Sequence, residues 1–370
     1  MADLFRFADA LGPHKIIHVH NPAIGLKAIL VVDNVATGPS IGGLRMAEDV
    51  SAEECVRLAR AMTLKNASAG LRHGGGKSVL FGDPRMEKSK KEQLIRAFAC
   101  ALKNEEDYIF GPDMGTDEEC MAWVHDEIGR AVGLPAARGG IPLDEIGATG
   151  WGLCQAVEVA VNHCDFKLSD ATLVIQGFGA VGKHAARFLA QKGVVLVGAA
   201  DSRGTIHAPG GIDIEALIAL KDEGKSVIDY PHGAKLDRDQ VIDIPCDIWI
   251  PAARPDVIRE ANAHRLKAKL VAQGANIPFT HEAERLLHER GVLCLPDFIA
   301  NAGGVICAAM EYHGASRTAA FETIAEKIRA NTEQVLKKMV CKKTLPRDAA
   351  LQLARQRLTA AMATRRWSIF

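Results

Sequence analysis

Six residues, Gly177-Phe178-Gly179-Ala180-Val181-Gly182, restrict the fold more than any other stretch of this chain. Their GxGxxG spacing follows an apolar, strand-like run, Thr172-Leu173-Val174-Ile175-Gln176, and opens a helical run from Val181 to Gln191. A further strand, Val194 to Val197, leads to Asp201, about 20 residues beyond the glycines, where dinucleotide-binding βαβ units carry an acidic residue. Each glycine has a task in such a unit. Gly177 makes the tight turn, Gly179 lets the pyrophosphate approach backbone N–H groups at a helix N-terminus, and Gly182 lets helix and strand pack. Phe178, Ala180 and Val181 complete the cofactor-facing turn. Asp201 is expected to accept bonds from the adenosine ribose and to repel a 2′-phosphate, which favours NAD. The adjoining Ser202 and Arg203 leave NADP open.

The pattern changes character near residue 147. Before it, helices and strands are mixed. After it, short β-rich runs alternate with helical ones, as in a parallel sheet. The predicted architecture is therefore α/β with two domains and a cleft between them. Residues 1–146 plus 340–370 form a substrate-binding, catalytic and oligomerisation domain with a mixed sheet, and 147–339 form a Rossmann-like NAD-binding domain. Predicted strands include 28–32, 77–81, 247–250, 270–272 and 292–295. Ser51 with Glu54 marks a helix start, Thr280 and Gly291 bracket a helix over 281–290, and helices are expected over 90–103, 317–338 and 347–363. The last packs back on the first domain, so the chain crosses between domains twice.

The segment Leu71-Arg72-His73-Gly74-Gly75-Gly76-Lys77-Ser78 invites comparison with a phosphate-binding GxxxxGKS loop. The register fails, because Leu71 stands where the first glycine belongs and Gly70 is one residue away. The element order is also reversed, with a helix before the glycines and a strand after them, whereas phosphate loops need strand, glycines, helix. Hydrolysis of ATP or GTP with magnesium would revive that class. The glycines instead suit close approach of a small ligand. Lys65, at the end of the preceding helix, and Lys77 would then serve an α-carboxylate substrate: one binds the carboxylate, the other has its pKa lowered by burial and like charge and acts on a proton. Asp113, in Phe110-Gly111-Pro112-Asp113-Met114-Gly115-Thr116, is either a proton relay beside that lysine or a cap on a helix over 116–132.

These motifs together resemble the glutamate/leucine/phenylalanine/valine dehydrogenases. The likeness runs through LRHGGGKSVLFGDP (71–84), GPDMGTD (111–117), GATGWG (147–152), GFGAVG (177–182), ADSRG (200–204), IPAA (250–253), VAQGAN (271–276) and PDFIANAGGV (296–305). The resemblance implies reversible oxidative deamination of an L-amino acid to the 2-oxo acid and ammonia. By motif, Lys65 holds the substrate carboxylate, Lys77 activates water and Asp113 handles protons. Gly42 and Gly43 (in SIGGLRM) contact substrate, Asn276 and Asn301 lie near nicotinamide and substrate, and Thr149 and Ala252 are cofactor contacts. Gln273 departs from the glutamate of many relatives, with an open effect on cofactor preference. Glutamate-specific relatives place a lysine before the paired glycines and a serine three residues after the valine of NAGGV. Here Val305 is that valine, and the two positions are Ile41 and Ala308. Neither can pair a side-chain carboxylate, and burying one unpaired is costly. An apolar substrate side chain is therefore expected, nearer the leucine and phenylalanine branch, with glutamate as the alternative. A catalytically idle NAD-binding regulator is the non-enzyme reading, opposed by the intact Lys65, Lys77 and Asp113.

Composition narrows the remaining classes. Lys+Arg and Asp+Glu number 45 each, so no basic excess favours nucleic acid, and near-zero net charge suits a homo-oligomer that buries surface. Nine cysteines without CxxC spacing are expected to be free thiols in a reducing cytoplasm. No secretory leader or apolar run of membrane-spanning length is recognised. His73 lacks a partner at metal-ligand spacing, and no metal is expected.

Overall fold

The computed structural model describes residues 5–364, and the chain passes between its two units four times rather than twice. The first unit comprises residues 1–142, 305–320 and 352–370; the second comprises 143–304 and 321–351. Residues 305–320, expected in the 147–339 domain, thus group with the first unit. Side-chain contacts of Glu311 and His313 show why. The Glu311 carboxylate accepts from the N–H groups of Leu134 (3.1 Å) and Ile141 (2.8 Å), and His313 meets His73 at 3.0 Å. The final residues of the expected 340–370 segment, 365–370, lie outside the described residues.

The sheet of the first unit has strands β1 (Lys15–Asn21), β2 (Leu26–Asn34), β3 (Ser40–Ala47), β4 (Gly74–Phe81) and β5 (Tyr108–Pro112), in the order β1-β2-β4-β3-β5. It is mixed: β3 runs parallel to β4 and β5, and β2 runs antiparallel to β1 and β4. Both faces of β2 are covered, with strand alternation dividing them. Leu26, Ala28, Leu30 and Val32 pack with helices α2 (Lys88–Ala101) and α3 (Glu118–Ile128). Ile29 and Val31, with Val79 of β4, pack under Cys55, Val56 and Ala59 of α1 (Ala52–Ser68). Ser51 caps α1 by accepting from the Glu54 N–H at 3.1 Å.

In the second unit the strands β6 (Thr172–Gln176), β7 (Val195–Ala200), β8 (Thr205–His207), β9 (Ala234–Leu236), β10 (Ile248–Pro251), β11 (Leu270–Ala272) and β12 (Leu293–Leu295) are ordered β12-β11-β10-β6-β7-β8-β9. The run from β12 to β7 is parallel. The short β8 and β9, which period-two reading misses, close the edge antiparallel. Its helices include α4 (Ala148–Ala160), α5 (Ala180–Ala190), α6 (Ile214–Asp222), α7 (Glu260–Ala263), α8 (His281–Glu289, capped by Thr280) and α9 (Asp297–Ala300). Then follow α10 (Gly303–Tyr312), α11 (Arg317–Lys342) and α12 (Pro346–Thr364). In the first unit, the later turns of α12 lie against the end of α1: Ala354 and Leu358 pack on Ala67, and Arg357 donates to the carbonyls of Ala67 and Ser68.

Candidate active site

The three glycines before Lys77 belong to β4 itself, which begins at Gly74 rather than at Lys77. Their lack of side chains serves the fold, not a ligand. A Cβ on Gly74 would sit 1.8 Å from the Asn34 carbonyl oxygen, and one on Gly75 would sit 1.9 Å from the Thr63 nitrogen of α1. The helix is thereby drawn onto the strand more closely than any other residue allows. Gly75, Lys77 and Val79 share one face of β4, the face that α1 covers, and Lys65 lies two positions beyond Thr63 on that helix.

Lys77 is only 6% exposed. Its Nζ lies 2.5 Å from Asp113 Oδ2, at the end of β5. Gly43, on β3 between them, leaves the space open: a Cβ there would be 2.7 Å from Asp113 Cβ and 3.1 Å from Lys77 Nζ. Asp113 does not cap the following helix. Asp117 does, accepting from the Cys120 N–H at 3.0 Å. The Asp113 loop is held instead by Thr116, whose Oγ1 accepts from the Asp113 N–H (3.0 Å) and donates to the Leu44 carbonyl (2.7 Å). Arg45 completes the cluster, donating from Nε to Asp113 at 3.0 Å and from its other arm to Glu54 at 2.5 Å. The sequence reading omitted Arg45, although it sits two residues after Gly43, on the same strand face.

Burial pushes the Lys77 ammonium below the usual lysine range, against the opposing pull of Asp113, and Arg45 adds to the depression. Burial alone would raise Asp113, but Lys77 and Arg45 together hold it below the usual carboxylate value. The site therefore pairs an ionised carboxylate with an amine whose proton is loosened. Ile41 (4% exposed) precedes Gly42 and Gly43 on β3, and Val305 and Ala308 share one face of α10 at i, i+3 spacing. His73 does find a partner, but one far away in sequence: its Nε2 meets the His313 Nε2, and its Nδ1 meets the Pro39 carbonyl at 3.1 Å. Among the described residues no group of three His, Cys, Asp or Glu side chains could hold a metal ion, and all nine cysteines are unpaired.

In the second unit the glycine turn is tight and closely packed at two of its three glycines. Gly177 has φ +101°, and a Cβ there would press on Ala252 and Ala253. A Cβ on Gly182 would meet the Gly177 oxygen at 2.1 Å, whereas one on Gly179, at the start of α5, would meet nothing within 4 Å. Gly177, Phe178, Gly179, Asp201, Ser202 and Ala252 line one cavity of about 390 Å³, together with Gln176, Ala200, Lys221, Arg238, Ala253 and Arg254. Open space above Gly179, at a helix N-terminus, fits a dinucleotide pyrophosphate. Ala180, Val181 and Gly182 form the first turn of α5 and are not part of that lining. Lys221, Arg238 and Arg254 carry no local motif and were not anticipated.

Asn301 donates to the Asn276 Oδ1 at 3.0 Å and to the carbonyls of Gly274 and Ala275, while its own Oδ1 is buried without a partner. Thr149 lies against Gly303 and Gly304, whose added Cβ atoms would reach it at 3.1 Å. Gln273 stands apart from the cavity. It is fully buried, donates to Glu284 at 2.6 Å and accepts from Arg347 at 2.9 Å. Arg347 also grips Glu284 and Asp297, so Gln273 is a neutral spacer in a buried charge network.

A parallel-sheet nucleotide unit joined to a unit with a buried lysine–carboxylate pair is the construction of an amino-acid dehydrogenase acting on CH–NH2 donors. Residues 13–130 match the model for the Glu/Leu/Phe/Val dehydrogenase dimerisation domain, and residues 139–366 match that for Glutamate/Leucine/Phenylalanine/Valine dehydrogenase. The chain belongs to this family. It is 35% identical to a glutamate dehydrogenase of Aeropyrum pernix, over 90% of this chain and 85% of that one. It is 34% identical to the NAD-specific glutamate dehydrogenase of Staphylococcus aureus, over the same shares. The crystal structure of glutamate dehydrogenase from Peptoniphilus asaccharolyticus superposes with a TM-score of 0.85 at 28% identity, covering 96% of this chain and 92% of that one.

Proposed function

We propose that this chain catalyses the reversible oxidative deamination of an L-amino acid with an apolar side chain to the 2-oxo acid and ammonia, as a cytoplasmic homo-oligomer. The observation that carries the reading is the buried Lys77 amine, 2.5 Å from Asp113 and bordered by the side-chain-free Gly43. A nicotinamide dinucleotide, bound at the Gly177–Gly182 turn, supplies the acceptor for the hydride lost from Cα. Lys65 binds the substrate carboxylate. Neutral Lys77 then takes a proton from the water that attacks the substrate iminium carbon. Asp113, ionised at rest, takes a proton from the substrate ammonium before the hydride leaves and returns it to the departing nitrogen, and ammonia leaves as the carbonyl forms. Gly42 and Gly43 give the substrate room to approach β3. Water consumed and proton released balance the two-electron oxidation.

The apolar preference rests on Ile41 and Ala308. Both are buried, and neither offers a donor to a second carboxylate, whose desolvation would then go uncompensated. The competing reading is glutamate, favoured by the names of the relatives. A panel of leucine, valine, phenylalanine, tryptophan and glutamate, followed as absorbance of reduced cofactor, separates the two. The expected result is a higher kcat/KM for at least one apolar amino acid, and a higher value for glutamate than for all four sinks the apolar assignment.

A further inference from the structure

Among the described residues lining the nucleotide cavity Asp201 is the one carboxylate, and the fold already uses both of its oxygens. Oδ1 accepts from the Ser226 hydroxyl at 2.7 Å and from the Arg203 N–H at 2.9 Å. Oδ2 accepts from Lys221 Nζ at 2.7 Å and from the Val227 N–H at 3.0 Å. A carboxylate has about four acceptor positions, and here four donors of the protein occupy them. Selection of NAD by such a residue needs the opposite arrangement: free acceptor sites for the ribose hydroxyls and an unbalanced negative charge against a 2′-phosphate. In this chain Lys221 balances the charge directly.

The rest of the charged lining is cationic. Arg254 makes no hydrogen bond or ion pair among the described residues, and the Arg238 guanidinium meets only its neighbour Asp239, at 3.2 Å, both well exposed. Ser202 adds a hydroxyl beside them. Guanidinium groups bind phosphate through paired N–H donors, so the lining presents two available phosphate partners and no available carboxylate.

We infer that this cavity accepts a 2′-phosphorylated dinucleotide, with Arg238 and Arg254 meeting the phosphate, so that NADP serves at least comparably to NAD. The inference rests on the proposed use of the cavity as the nucleotide site. In the full-length protein, kcat/KM measured with each cofactor is expected to lie within about tenfold of parity or to favour NADP. A preference for NAD beyond about tenfold overturns the inference. The double variant R238A/R254A is expected to lower the NADP-to-NAD efficiency ratio by about tenfold or more, and an unchanged ratio removes the two arginines from the assignment. Calorimetric binding of 2′,5′-ADP and of 5′-AMP separates this inference from the catalytic reading. Tight 2′,5′-ADP binding by a protein that oxidises no amino acid supports the inference and counts against the dehydrogenase proposal. Binding of 5′-AMP alone overturns the inference and leaves that proposal standing.

Discussion

Lys77 and Asp113 illustrate how placement shifts the proton affinity of two ordinary side chains. Burial favours the neutral amine of Lys77, and the facing Asp113 carboxylate draws the proton back. In the proposed mechanism water activation requires the neutral amine, so deamination is expected to rise with pH through the Lys77 pKa and to level off above it. Asp113→Asn removes the charge that retains the proton. The acid limb of the kcat/KM profile should therefore move to lower pH even as the rate falls, and movement to higher pH would refute the coupling. Lys77→Arg preserves the charge but cannot give up its proton. It is expected to lower kcat by about 10²–10⁴-fold while binding of the reduced cofactor, followed by its fluorescence, persists.

At the scale of elements, glycines with similar sequence surroundings play opposite parts. Gly75 is spent on packing: a Cβ would overlap the Thr63 backbone, fixed in the interior of α1. Gly179 opens onto the cavity, with nothing near its missing side chain. Gly75→Ala is expected to destabilise the protein by about 3 kcal/mol or more, read as a fall in Tm. Gly179→Ala should leave Tm nearly unchanged and raise KM for the dinucleotide about tenfold or more. A Gly75→Ala protein of ordinary stability would mean that the glycine run serves a ligand after all. The Arg347 network shows a related division of labour. It ties α12 to α8, to the start of α9 and to the end of β11, and Gln273 contributes a neutral amide where another carboxylate would face Glu284.

For the whole molecule, family membership and the match of residues 13–130 to a dimerisation domain point to assembly. Sedimentation equilibrium is expected to give a multiple of the 39.7 kDa chain mass, and a stable monomer at micromolar concentration would contradict it. None of the helices in the described residues is long and apolar enough to cross a membrane. Much of this was legible in the chain alone. The βαβ turn, the caps at Ser51 and Thr280 and the strands 172–176 and 270–272 follow from a few consecutive residues whose period, turn chemistry and caps are local properties. Tertiary structure decided the rest. Only there do α1 and Asn34 claim the glycines before Lys77, His313 reach His73, residues 305–320 join the first unit, and Ser226, Val227 and Lys221 join the Arg203 N–H to exhaust the Asp201 carboxylate. The sequence determined which groups could do chemistry, because residue type and local spacing carry that. Which of them remain available to a ligand depends on burial and on partners far away along the chain, which no local pattern encodes.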